Sequence, residues 1–204
     1  VLLIALESGE NSQIVQAIKT IVDECTFNKL PLGRMPMFDI EYIFLQIRSK
    51  AVGEVSTLSL LCQDDGKTYV PVEVNLADVE VEVGETHDNK IQLTDDMGMI
   101  MTYPTIDSFL DGQFAEVTAD NMIDVVASCV LQIYEKKGEV VYDAKDSTKQ
   151  EMIEFIENIN TTQFKDVQKF FDTMPVLKHT VTFKNPKTKV ENEVVLRGLN
   201  DFFA

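Results

Sequence analysis

The side chains able to do chemistry are few, and their spacing suits none. Two carboxylate pairs, Asp64–Asp65 and Asp95–Asp96, could hold a divalent cation through oxygen. Neither pair lies in a loop of alternating ligands, and Asp64-Asp65-Gly66-Lys67 reads as turn chemistry. A metal-dependent hydrolase is therefore the weakest functional reading. His87 falls in a polar, acidic loop and His179 on the apolar face of a predicted strand. Either imidazole could act as a base, but no Ser or Cys stands in a nucleophile motif. Cys25, Cys62 and Cys129 are odd in number, and the nearest two are 37 residues apart. Zinc needs Cys or His at short spacing, so these read as reduced, buried thiols of a cytosolic protein. Glycine is sparse and isolated, without a phosphate loop or dinucleotide fingerprint. These residues predict no catalytic site, no metal, no cofactor and no small-molecule substrate.

Binding by surface is the remaining class, and charge narrows it. The 204 residues carry a formal charge of −16. Such a chain is repelled by phosphate backbones and anionic lipid, which argues against nucleic acid and membrane. No run reaches the ~20 apolar residues of a membrane span. Residues 54–96 hold 11 acids against 2 lysines, net −9, whereas residues 161–204 are net +2. The acidic middle could meet a basic host protein as a decoy, or it is a solvated face.

The element expected to organise the chain is a helix within 35–54. Asp39 is placed to cap it, Phe38 and Ile43 are spaced as a hydrophobic staple, and Gly53 supplies a left-handed stop. Ile40, Ile43, Phe44, Ile47 and Ala51 share one face; Phe38, Tyr42 and Leu45 share a second. A helix apolar on two faces is buried between other elements. Glu41 and Arg48 stand in that apolar setting, so each needs a partner, within the chain or on another protein.

Around this helix the pattern predicts an α+β chain: a helical body, a small, mostly antiparallel β insert over 54–103, and a C-terminal hairpin with its tail over 176–204. All of it reads as one domain, 1–204. Helices are expected from Val1 to Leu6, from Asn11 or Ser12 to Cys25, and from Thr105 to Gly112. Three more are expected: Thr118 towards Gly138, one opened by a Ser147/Gln150 capping box, and one from Thr161 or Thr162 to Pro175. Period-2 alternation gives a hairpin over 56–76, with Pro71 marking an edge strand, then strands at Val79–Val83, Ile91–Leu93 and Met99–Tyr103. The tail carries Leu199, Phe202 and Phe203, which must dock on this chain or on a partner. Gly198 can turn it back towards the helix carrying Phe170 and Phe171. Glu41, Arg48, Leu199, Phe202 and Phe203 are thus the candidate partner-binding residues.

Three stretches, in order, go further: Cys25, a loop and then Phe38 to Glu54; Phe164 to His179 through Phe170-Phe171-Asp172-Thr-Met-Pro175; and Leu196-Arg-Gly198-Leu199-Asn-Asp-Phe202-Phe203. Together they resemble the baseplate hub subunits of T-even-type contractile-tailed phages, also treated as baseplate assembly chaperones. The resemblance implies a non-enzymatic part in building the tail hub, with hub and tail proteins as partners. It places the chain in the host cytoplasm during assembly, or in the virion baseplate. It also implies residues ahead of Val1. Similar proteins often carry a Cys-Pro-x-Cys knuckle in the last hairpin. Here that turn is Asn185-Pro186-Lys187-Thr188, so no metal role carries over.

Overall fold

A computed structural model describes residues 11–111, 118, 121–135 and 140–202. The helix expected over Val1–Leu6, the stops at Gly112 and Gly138, and Phe203 lie outside the described residues. Six α-helices are described: α1 Asn11–Cys25, α2 Met37–Val52, α3 Ile106–Leu110, α4 Met122–Ser128, α5 Lys149–Glu157 and α6 Thr161–Thr173. Nine strands accompany them: β1 Val55–Leu61, β2 Tyr69–Asn75, β3 Glu80–Glu82, β4 Lys90–Gln92, β5 Met97–Met101, β6 Val130–Glu135, β7 Val140–Asp143, β8 Val176–Lys184 and β9 Glu191–Arg197. All pair antiparallel, in the orders β1-β2, β3-β8-β9 and β4-β5-β6-β7. The fold is α+β.

The chain divides into two compact units. One holds Val1–Ala17, Leu32–Pro36 and Val83–Met174; the other holds Ile18–Pro31, Met37–Glu82 and Pro175–Ala204. The strands expected as a single insert over 54–103 are shared among three sheets. β1 and β2 pair with each other, β3 joins the C-terminal hairpin, and β4 and β5 join β6 and β7. Local alternation identifies strands but does not carry the register that says which distant strand they meet.

In the second unit α2 packs beside β3, β8 and the 3-10 turn Leu76–Asp78. Ile40, Phe44 and Leu45 are buried there with Leu58, Val74, Leu76, Val79, Leu177 and Leu196. The helix starts at Met37, two residues before the expected cap. Pro36, held in an extended bridge to Thr105, sets the chain direction just ahead of it. Asp39 thus sits in the first turn, and Phe38 lies inside the helix rather than stapling it from outside. Gly53 ends it at φ 132°, a conformation that L side chains rarely adopt. The second apolar face is only partly covered, since Tyr42 is 37 % exposed.

The first unit has its own core. Ile91, Met99, Met101 and Val130 of the four-stranded sheet pack with Val126 of α4, Met152 and Ile156 of α5, and Val167 and Phe170 of α6. The expected helix from Thr118 through Ile133 stops at Ser128, and the chain continues as β6. A Cys129 turn and the alternating, β-branched run Val130-Leu-Gln-Ile-Tyr override the helical spacing of Val126, Val130 and Ile133. The cap there is Asn121, not Thr118, whose N–H donates to Asn121 Oδ1 (2.7 Å). The α5 capping box is Thr148 with Glu151, one residue beyond the expected pair, and a second box, Asn160 with Gln163, opens α6.

Candidate functional site

Glu41, Arg48, Leu199 and Phe202 all fall in the unit that holds α2 and the C-terminal hairpin. Past β9, Gly198 adopts φ 61° and its N–H donates to Leu177 O (2.9 Å), which swings the chain out of the strand. A 3-10 turn, Leu199–Phe202, follows, and Asp201 accepts from the Arg197 N–H (2.7 Å) to close it. Leu199 is 3 % exposed and Phe202 1 %, so both are spent on the chain's own interior. The tail turn is tied to α2: the Leu199 N–H donates to Glu41 Oε1 (3.4 Å).

That bond leaves Glu41 in an unusual state. Its carboxyl is largely buried, and burial pushes its pKa from the ordinary 4.5 up to about 7, with the Leu199 N–H pulling weakly the other way. Arg48, two turns along α2, donates to Ser56 Oγ at 3.4 Å. The two charges expected to need partners thus each have one within the chain.

A second polar cluster in this unit escaped the sequence reading. The β1–β2 turn and the β8–β9 turn grip each other through side chains. Asn185, fully buried, donates from Nδ2 to Asp64 Oδ1 (3.0 Å) and Asp65 Oδ2 (3.1 Å). Its Oδ1 accepts from the Lys187 N–H (2.9 Å), and the Thr188 hydroxyl donates to Asp64. From the other arm, Asn192 Oδ1 accepts from the Asp64 N–H (3.0 Å). The Thr68 hydroxyl, then the Thr68 and Lys67 amides, hold the Asp65 carboxyl well below the usual carboxylate range. Thr188 and Asn185 lower that of Asp64. The aspartate pair is thus consumed as acceptors in a clasp between hairpins. Two Asn, one Thr and two Asp 120 or more residues apart give no local signal; only the turn chemistry of each half was legible.

In the other unit His87 is tied on both sides. The Thr173 hydroxyl donates to Lys169 O (2.7 Å), so it must accept from His87 Nδ1–H (3.1 Å). Nε2 is then the acceptor for the Tyr103 hydroxyl (2.9 Å). Burial lowers the pKa of the imidazole, whose ring lies tilted at 5.2 Å from the Phe170 ring. This arrangement fastens the 84–90 loop to the end of α6 and leaves neither ring nitrogen for a substrate proton. His179 lies half-buried in β8 opposite Leu196. Cys62 and Cys129 are buried as expected, and burial raises the Cys129 thiol to about 12. Cys25 is exposed, contrary to expectation, because it closes α1 where the chain turns into the Thr26–Asn28 bend. Among the described residues no three His, Cys, Asp or Glu side chains converge as metal ligands. Among them, too, no helix is long and apolar enough to cross a membrane.

The family model described as T4 bacteriophage base plate protein matches residues 1–204. The chain belongs to that family. No curated protein and no solved structure matches it. The match places it among the proteins of the phage tail base plate. What its geometry offers such a structure is a tail fastened on α2, a clasped pair of hairpins and a separately cored helical unit.

Proposed function

We propose that the chain is a subunit or assembly factor of the baseplate hub, acting through protein–protein contacts and without catalysis. The observation that carries this is the family match over the whole of 1–204. Its partners are other hub and tail proteins, met in the host cytoplasm while the baseplate forms. The chemistry of the side chains supports the same reading. The acids and the histidine best placed to react are bound into a clasp and a loop fastening. We further propose that Glu41 and Arg48 contribute to the partner surface of α2 beside exposed Tyr42. Leu199 and Phe202 contribute by fixing the tail that shapes it.

Coexpression of the full chain with each other baseplate protein of the same phage tests this. Stoichiometric copurification with a hub protein is the expected result. Failure to associate with any of them would overturn it.

A further inference from the structure

Exposed apolar side chains concentrate at one place in the first unit. β7 is an edge strand of the four-stranded sheet, and three of its four residues are exposed and apolar: Val140 (37 %), Val141 (56 %) and Tyr142 (52 %). The opposite edge, β4, is guarded. Lys90 and Gln92 flank buried Ile91, Asp88 accepts from the Lys90 N–H, and the Gln92 amide bonds back to Thr94 O and Met97 O. Charge on an edge and self-satisfied polar groups are the usual means of preventing strand addition. β7 has neither within Val140–Tyr142, and among the described residues no strand of the sheet pairs with its outer edge.

The sheet face beside β7 is also shaped to receive side chains. Helices cover the face carrying Ile91, Met99 and Ile133. On the other face Tyr134 lies flat over Gly98, where a Cβ would come within 2.5 Å of its hydroxyl. That leaves a depression of about 610 Å³, lined by Ile100, Gln132, Tyr134 and Val141, with Asp88 and Lys90 at its far side.

We propose that β7 is a docking edge, to which an extended segment of another tail protein adds as a fifth strand. This rests on the hub role proposed above. Backbone bonds from the outer edge of β7 would hold the segment, and every second side chain would enter the depression. Charge selects the occupant. A second copy would bring another −16 and be repelled, whereas a basic segment is attracted. Four residues make a contact well below the ~800 Å² per partner of a standard interface, so this edge gives register rather than tight binding.

The test is hydrogen exchange on the full chain, alone and with the baseplate protein that copurifies. Exchange at Val140–Asp143 is expected to slow at least tenfold in the complex. Val141→Lys should weaken the complex at least tenfold with an unchanged melting temperature, while Val190→Lys, at an exposed site away from β7 and α2, should not. A complex with unprotected β7 amides overturns the docking edge alone. Protection of β7 in a homodimer without a partner also overturns it, in favour of self-pairing. If no baseplate protein binds, the hub role fails and the docking edge with it.

Discussion

Replacing Glu41 by Gln should make the protein more stable, and only above mildly acidic pH. The carboxyl ionises near 4.5 in the unfolded chain and near 7 in the folded one, because burial beside the tail turn penalises its charge. Below about pH 4.5 it is neutral in both states and costs nothing. As pH rises the unfolded chain loses its proton first, so stability falls until about pH 7 and is level beyond. Each pH unit in that window is worth about 1.4 kcal/mol, which gives a loss of about 3 kcal/mol. Glutamine keeps an oxygen for the Leu199 N–H, carries no charge and has nearly the same volume. Denaturant unfolding of both proteins between pH 4 and 8 reads the difference. The gap should open by about 3 kcal/mol in favour of Glu41→Gln as pH passes from 4.5 to 7. A gap that does not change with pH would refute the buried-carboxyl account, as would a Glu41 carboxyl carbon shift titrating near 4.5 by NMR.

Three other perturbations probe the same framework. Phe202→Ala removes a ring that is 1 % exposed and should cost about 3–5 kcal/mol in unfolding experiments. Asn185→Ala strips the donor shared by Asp64 and Asp65 and should cost about 1–3 kcal/mol. It should also speed amide exchange at Lys187 and Thr188. Gly98→Ala would place a methyl 2.5 Å from the Tyr134 hydroxyl and 2.9 Å from Ile91 O. The ring can swing away but the carbonyl cannot, so thermal melting should drop by an amount equivalent to about 1–3 kcal/mol.

What was legible in the sequence was local. The two-faced run in 35–54, its Gly53 stop, the β1–β2 hairpin and the Asn185–Thr188 turn all come from periods and turn residues within a few positions of each other. The capping boxes show the limit of such reading: Ser147/Gln150 and Thr148/Glu151 are equally good by spacing, and only the folded backbone selects the second. β6 and β7 were missed because Val126, Val130 and Ile133 also satisfy a helical period, and because four residues in β7 are too few to set one. The clasp was invisible because its halves meet across 120 residues or more. The burial of Leu199 and Phe202 followed from their apolarity, but the bond from Leu199 to Glu41 on α2 spans 158 residues, which no local pattern holds.

The hub role is tested most directly by quantitative mass spectrometry of baseplate precursors isolated from infected cells, with purified virions alongside. The role requires this chain in the precursors at a fixed ratio to hub proteins. It persists in virions if the chain is a subunit and disappears if it is an assembly factor. Absence from both precursors and virions would contradict it.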